Sequence, residues 1–224
     1  SAGVQPEARV CFLTGASKRL GASTARKFHA EGFNVIIHFN NSRREAEALV
    51  TQLNSLREGS AQSLQADLTD KQQLAPLADQ MLDCYQRLDV LINNASSFYP
   101  TPLQECSNEQ WDDLVDSNLR AAFYLSQQLA PELTRRAGSV VNMVDTHADN
   151  PLKGFPIYSI AKAGVKAMTK SLAKELAPRV RVNGVSPGAI LWPPSLEDES
   201  KPEVLLGRKK MLETIPLRVL GDPQ

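Results

Sequence analysis

Residues 10–21 read VCFLTGASKRLG, an apolar run that passes through a glycine-flanked turn into a stretch of helical composition. A turn between a strand and a helix can present backbone N–H groups and the positive end of the helix to an anion such as a pyrophosphate. Gly15 and Gly21 permit close approach of the backbone to that anion. Taken alone, two glycines with five residues between them often form an ordinary turn. The surrounding chain decides whether this turn is a phosphate-binding one.

Short apolar runs alternate with longer amphipathic stretches over the rest of the chain. This alternation is typical of βαβ units, in which helices join parallel strands. It predicts an α/β fold with one doubly wound domain over residues 1–224, because no repeat, low-complexity tract or linker interrupts the pattern. The predicted strands are Val10–Thr14, Asn34–Phe39, Ser63–Gln65, Val90–Ile92, Ser139–Val144 and Val180–Val185.

Three tetrapeptides place a hydroxyl three residues before Glu or Gln, the pattern of a helix capping box. They are Ser42–Glu45, Thr69–Gln72 and Ser107–Gln110. The pattern predicts helices that begin directly after Ser42, Thr69 and Ser107.

Composition excludes several classes of function. The 25 Lys and Arg balance 25 Asp and Glu, so no whole-chain field favours nucleic acid or an anionic membrane, and neither partner is expected. No apolar stretch approaches the ~18 residues of a membrane-spanning helix. The three cysteines, Cys11, Cys84 and Cys106, lack the spacing of a zinc site or a disulfide framework. We therefore expect no metal, and a soluble protein of the cytoplasm.

The end of the second predicted strand indicates which dinucleotide the turn prefers. Sites that select NAD usually carry Asp or Glu about 20 residues past the turn, and no acid stands at residues 38–44. Arg19, Ser42 and Arg43 are instead available to a 2′-phosphate, which favours NADPH. Asp67, after the third strand, is placed either to accept from the adenine amine or to form an ordinary turn.

Tyr158 and Lys162 are four residues apart, which places both on one face of a helix. A neighbouring ammonium stabilises a phenolate, so this spacing predicts a lowered pKa for Tyr158. On its own this spacing is common, because polar pairs four residues apart occur on many solvent-exposed helix faces. Its order after the turn at residues 14–21 gives it weight.

These features, taken in order, resemble the short-chain dehydrogenase/reductase superfamily. They are the turn at residues 14–21, Asn93-Asn94-Ala95, Asn118, Tyr158 with Lys162, and Pro187-Gly188. The resemblance implies a Rossmann-like parallel sheet in the order 3-2-1-4-5-6, with helices on both faces, and hydride transfer with a nicotinamide cofactor. It also implies that Tyr158 relays a proton, that Lys162 binds the nicotinamide ribose, and that Asn118 holds a water.

At two positions the chain departs from the superfamily pattern, and in both it resembles the pteridine reductases. Arg19 replaces the middle glycine of the turn, and Asp145 stands where a serine usually precedes the tyrosine by thirteen residues. By this resemblance Phe98 and the nicotinamide sandwich a pterin, Ser96 bonds cofactor and pterin, and Arg19 lies near both. If the resemblance is set aside, Phe98 is predicted to be an ordinary core residue and Asp145 an exposed loop carboxylate.

The resemblance implies the remaining contacts and the assembly. Cofactor contacts would come from Gly15, Lys18, Arg19, Leu20, Gly21, Phe39, Asn41, Ser42, Arg43, Asp67, Leu68, Asn94, Ala95, Ser96, Tyr158, Lys162, Pro187 and Gly188. A substrate loop would span about residues 189–213. The protein would form a homotetramer, and the helix and seventh strand with which the superfamily continues are not in this sequence.

The functional interpretation is NADPH-dependent reduction of a dihydropterin such as dihydrobiopterin, with biopterin and folates as further substrates. Two alternatives stay open. One is reduction of another carbonyl, such as a 3-oxoacyl thioester; the other is a nucleotide-binding regulator that has lost turnover.

Overall fold

The structure, a computed structural model, describes residues 7–192 and 196–223. The chain divides into two compact units, residues 1–186 and 187–224. The first contains the strands β1 (Val10–Leu13), β2 (Asn34–Phe39), β3 (Ala61–Gln65), β4 (Val90–Asn93), β5 (Ser139–Met143) and β6 (Arg181–Val185). Its helices are α1 (Arg19–Ala30), α2 (Arg43–Leu56), α3 (Leu74–Tyr85), α4 (Asn108–Val115), α5 (Ala121–Arg136) and α6 (Pro156–Glu175).

The six strands form one parallel sheet in the order β3-β2-β1-β4-β5-β6. The predicted fold class and strand order are therefore confirmed. The order reverses between β1 and β4, and the carboxyl ends of strands beside such a switch point form the ligand crevice of open α/β sheets.

Alternate residues along the strands are buried in two separate hydrophobic cores, one on each face of the sheet. Phe12 of β1 is buried with apolar residues of α3, α5 and α6, such as Leu77 and Leu125. Its neighbour Leu13 is buried instead with α1 and α2. Since successive strand residues point to opposite faces, both faces of the sheet are covered by helices, as predicted.

The three predicted capping boxes behave differently. At Ser107 the box forms: its Oγ accepts from the Gln110 N–H, and Gln110 Oε1 accepts from the Ser107 N–H at 3.0 Å. At Ser42 the helix begins where expected but without a side-chain cap, because Glu45 pairs with Lys18 at 2.9 Å.

The prediction of a helix directly after Thr69 is wrong, because α3 begins at Leu74. Thr69 donates its hydroxyl to Asp67 Oδ1 at 2.7 Å, and Asp70 accepts from the Gln72 N–H at 2.9 Å. These local side-chain bonds hold residues 69–73 as a turn and leave the helix to start after it.

A π segment, Asp116–Arg120, separates α4 from α5 and carries Asn118. Helix α6 packs closely against it, since a Cβ on Gly164 would lie 2.6 Å from Leu119 Cδ2. Sequence periodicity did not predict this segment, which it treated as ordinary helix.

A buried amide chain fixes the ends of two central strands. Asn93 of β4 donates to Asn142 of β5 at 2.8 Å, and Asn142 donates to Thr169 of α6 at 2.9 Å. Asn93 and Asn142 are register partners in the sheet. The residues that follow β4 and β5 therefore start from fixed positions.

The second unit, residues 187–224, contains α7 (Pro202–Thr214). Arg208 of this helix donates to Leu196 O at 2.7 Å and pairs with Glu199, so the segment before α7 is tied to the helix. Residues 193–195 of the predicted substrate loop 189–213 lie outside the described residues. The loop's role and the single-domain boundary 1–224 stay predictions.

None of the helices in the described part of the chain combines the length and apolarity needed to cross a membrane.

Candidate active site

The turn after β1 is shaped by backbone contacts that exclude side chains. Gly15 has a φ of +59°, and a Cβ there would lie 2.7 Å from Ala95 Cα. A Cβ on Gly21 would lie 2.7 Å from Ala16 Cα. Arg19, which replaces the middle glycine, has a φ of +51°, a strained conformation for a residue with a side chain.

The residues after β4 hold this turn in place. Thr14 Oγ1 accepts from the backbone N–H groups of Asn94 and Ala95, each at 3.0 Å. The Asn94 side chain donates to Thr14 O at 3.0 Å and to Gly15 O at 2.9 Å. The two loops at the switch point therefore form one rigid structure.

His38, a residue that sequence reasoning missed, supports the turn from β2. Its Nδ1 accepts from the Gly15 N–H at 3.1 Å, and its Nε2 lies 3.0 Å from Ala66 O after β3. Burial lowers the pKa of His38 to about 4, so the ring is neutral at neutral pH. A lone histidine in an apolar strand gave no signal in the sequence, because its partners are 23 and 28 residues away.

The turn and the ends of β2, β3 and β4 enclose a cavity of about 610 Å³, within the range of small-molecule sites. The predicted cofactor residues that line it are Gly15, Lys18, Arg19, Leu20, Gly21, Phe39, Asn41, Ser42, Asp67, Leu68, Asn94, Ala95 and Ser96. Residues that line it without having been predicted are Ser17, His38, Asn40, Thr69, Ser97, Asp113 and Ser117.

Two predicted cofactor contacts have other partners in the structure. The Arg43 guanidinium lies 5.5 Å from the Phe39 ring centroid and 3.3 Å from Glu47 Oε1. Asp67 Oδ1 accepts from the Thr69 N–H at 2.9 Å, so Asp67 forms a turn; it also lines the cavity, and its contact with the adenine stays a prediction. Pro187 and Gly188 belong to the second unit, and their cofactor contacts stay a prediction.

Beside Ser96 lies a pair of groups suited to proton transfer. The Tyr158 hydroxyl donates to Asp145 Oδ2 at 2.6 Å, and Asp145 Oδ1 accepts from the His147 N–H at 2.8 Å. Asp145 is thus oriented by its own turn after β5, while the His147 ring bonds to Asn150 O. Asp145 is not a detached loop carboxylate.

The expected lowering of the Tyr158 pKa is wrong. Burial and the neighbouring Asp145 carboxylate raise the pKa of Tyr158 well above its ordinary value, and only the Ser96 hydroxyl opposes them. Lys162 Nζ donates to Met143 O at 2.9 Å and lies 5.7 Å from the Tyr158 ring centroid. Burial lowers the pKa of Lys162 to about 8, with Asp145 opposing that shift.

Asn118 is bonded to the loop after β4, which carries Ser96. Its Oδ1 accepts from the Ser96 hydroxyl at 2.7 Å, and its Nδ2 donates to Ser97 O and Leu114 O, both at 2.9 Å. The π segment presents Asn118 to this loop. Such segments in helices are frequently found at functional sites.

Phe98 is an exposed aromatic beside the pair, not ordinary core. Its side chain is 52% exposed, and its ring centroid lies 4.8 Å from that of Tyr158. Phe155, which sequence reasoning missed, stacks on it with centroids 4.7 Å apart and planes 10° apart. The only signal for Phe155 was its position three residues before Tyr158.

Comparison with known proteins identifies the family. Residues 9–203 match the family described as short chain dehydrogenase. The chain belongs to the short-chain dehydrogenase family. It is 37% identical to pteridine reductase 1 of Leishmania tarentolae over 227 aligned residues, which cover 84% of this chain and 78% of that protein.

A second group of relatives has a different substrate. The chain is 33% identical to the 3-oxoacyl-(acyl-carrier-protein) reductase FabG of Staphylococcus aureus, over 94% of this chain and 84% of that protein. It is 34% identical to the corresponding reductase of Thermotoga maritima, over 97% and 87%. The protein is thus a pteridine reductase-like short-chain dehydrogenase and an oxidoreductase, and both groups of relatives are similarly close.

Proposed function

We propose that this short-chain dehydrogenase reduces a dihydropterin with NADPH. The observation that carries the proposal is the 2.6 Å hydrogen bond from Tyr158 to Asp145, next to the exposed ring of Phe98. A flat heteroaromatic substrate suits an aromatic stacking surface, and its ring nitrogens suit a phenol as the proton donor with a carboxylate beside it.

The cavity fits a nicotinamide dinucleotide. Backbone stands where a Cβ on Gly15 or Gly21 would be, which allows a pyrophosphate to approach the turn closely. Lys18 and Arg19 add positive charge to the same lining. Ser96, Tyr158 and Lys162 would hold the nicotinamide end, which supplies the hydride when bound.

The ribose end of the cavity favours NADPH over NADH. Asn40, Asn41 and Ser42 line it, and none of them is acidic. We expect NADPH to bind at least tenfold more tightly, about 1.4 kcal/mol, the scale of one charge-assisted phosphate contact. Titration of the protein's fluorescence with each nucleotide measures the ratio, and equal affinities would contradict this choice of cofactor.

The proton that balances the hydride comes from the chain. Tyr158 would donate its phenolic proton to a ring nitrogen, next to the carbon that receives the hydride. A phenolate would then lie beside Asp145, which is unfavourable for two like charges. A proton from the solvent would restore the phenol: the half-buried Asp145 carboxylate would take it up and pass it to Tyr158, while the Lys162 ammonium offsets the charge.

A substrate panel tests the activity directly. NADPH oxidation is measured with biopterin, dihydrobiopterin, dihydrofolate and an acetoacetyl thioester. We expect turnover with the pterins above that with the thioester. Turnover with the thioester alone would favour a 3-oxoacyl reductase, which the 33% identical relatives support. Nucleotide binding without turnover on any of them would favour a regulator.

Asp145→Ser is the sharper test, because it installs the residue that the superfamily commonly uses for carbonyls. Loss of a positioned acid or proton relay costs about 10²- to 10⁴-fold in turnover. We expect that loss on dihydropterin, with nucleotide affinity unchanged. Full pterin turnover with an unchanged pH profile would show that the carboxylate is a bystander.

A further inference from the structure

We infer that His38 is a positioning residue for the dinucleotide, which fixes the phosphate-binding turn through the Gly15 N–H. The inference rests on the proposed function in that it takes the cavity to be a nucleotide site. Neither the family pattern in the turn nor the residues around Tyr158 include this histidine.

Both ring nitrogens of His38 have defined roles. The backbone N–H of Gly15 can only donate, so Nδ1 must be an unprotonated acceptor, 3.1 Å away. Ala66 O can only accept, so Nε2 must carry the proton, 3.0 Å away. One neutral tautomer satisfies both partners. The pKa near 4 keeps the ring in that form over the pH range of an enzyme assay.

His38 constrains the turn at two successive peptide units. Its ring accepts from the Gly15 N–H, and its backbone carbonyl accepts from the Ala16 N–H at 3.0 Å. These units begin the turn whose later residues, Ser17 to Gly21, line the cavity. Their orientation therefore sets the direction of the N–H groups that would meet a pyrophosphate.

The histidine also connects the two ends of the cavity. Its Nε2 is bonded to Ala66, next to Asp67 and Leu68 in the lining after β3. The side chain is 2% exposed, so packing holds the ring in place. The pyrophosphate end and the adenine end of the site are thus set at a fixed separation by one rigid group.

Two substitutions separate the two hydrogen bonds. In His38→Asn, the side-chain oxygen takes the place of Nδ1 and can still accept from Gly15, while the bond to Ala66 is lost. In His38→Gln, the amide nitrogen takes the place of Nε2 and can still donate to Ala66, while the Gly15 N–H loses its acceptor. If the turn is positioned through Gly15, only His38→Gln should impair nucleotide binding strongly.

The measurement is the dissociation constant for NADPH, with KM and kcat obtained on the substrate that the panel identifies. We expect His38→Gln to raise the dissociation constant and KM about tenfold and to leave kcat within twofold. His38→Asn should stay within threefold of the wild type. Equal affinities in both variants and the wild type, or a greater loss in His38→Asn, would overturn the inference.

His29 provides a matched control for general destabilisation. It is also a buried histidine, with Nε2 2.6 Å from Ser60 Oγ, but it lies on α1 ten residues after Arg19, about 15 Å from the turn. His29→Gln should lower the melting temperature without changing nucleotide affinity. An equal loss of affinity in His29→Gln and His38→Gln would show a structural effect only. A wild-type protein that binds no dinucleotide would instead contradict the proposed function.

Discussion

The nucleotide end and the proton-transfer end of the candidate site are built in different ways. At the nucleotide end, Gly15 and Gly21 lie where side chains do not fit, and a neutral His38 braces the turn. At the other end, Tyr158 and Asp145 are ionisable groups in direct contact, and Lys162 Nζ lies 5.7 Å from the Tyr158 ring centroid.

The difference separates shape from charge. Steric exclusion and backbone hydrogen bonds depend little on pH, whereas burial and the Asp145 carboxylate shift the pKa of Tyr158 upward, and burial shifts that of Lys162 downward. Changes at the nucleotide end should therefore appear in binding, and changes at the other end in turnover.

Tyr158→Phe should have the largest effect. It removes only the hydroxyl that donates to Asp145, and the His147 N–H still orients that carboxylate. We expect kcat to fall by about 10²- to 10⁴-fold, the usual contribution of a proton donor. The NADPH dissociation constant should change by less than threefold. A comparable loss in binding would break the separation between the two ends.

Gly15→Ala should lower nucleotide affinity and leave kcat nearly unchanged, the opposite of Tyr158→Phe. A methyl group there would meet Ala95 Cα at 2.7 Å, and backbone at both ends of that contact cannot move easily. The φ of +59° adds strain for any residue with a side chain. We therefore expect nucleotide affinity to fall by about 30-fold, about 2 kcal/mol, and kcat at saturation to change little.

Gly59→Ala is the control for this substitution. Gly59 has a similar φ of +67°, and no atom lies within 4 Å of its ideal Cβ. It should therefore show the strain as a lower melting temperature, with normal nucleotide affinity. If both alanine variants bind nucleotide equally well, the shape of the turn does not determine binding.

Raising the pH should have the smallest effect, a fall in kcat of about tenfold. Lys162 has a pKa of about 8, so about a tenth of the molecules retain the ammonium at pH 9. Since the ammonium offsets charge at Tyr158, kcat should fall as the pH rises through 8. A profile of kcat from pH 6 to pH 10 checks this, and a flat profile would remove Lys162 from the proton-transfer step.

Stability should change with the opposite sign over the same range. The unfolded chain keeps the Lys162 proton up to about pH 10.5, whereas the folded protein releases it near pH 8. The unfolded state then binds more protons, so the contribution of Lys162 to the free energy of unfolding increases between these values. Thermal melts at pH 7 and pH 9 therefore distinguish a loss of turnover from unfolding.

The sequence predicted well what depends on local pattern. The strands followed from apolar alternation, and β2 has the predicted bounds, whereas the strand order came from the resemblance over most of the chain. The Ser107 box formed because Gln110 had no stronger partner. The Ser42 box did not form, because Lys18, from the turn before α1, pairs with Glu45.

Contacts between distant parts of the chain explain what was missed. His38 has its partners in two other loops, and no periodicity points to them. The pKa of Tyr158 was predicted in the wrong direction because Lys162 was assumed to face the phenol. In the structure Lys162 donates to Met143 O, which lies on another element, and Asp145 faces the phenol instead.

The π segment at Asp116–Arg120 makes the position of Asn118 depend on the number of residues as well as on their identity. A π turn holds one residue more than an α turn. Deleting one residue there would turn the segment into an ordinary α-helical turn, so residues within it, Asn118 among them, would shift around the helix axis by up to one position, about 100°. The asparagine would still be present, but it would point away from Ser96. A scan of substitutions would not reveal this dependence, whereas a single-residue deletion would.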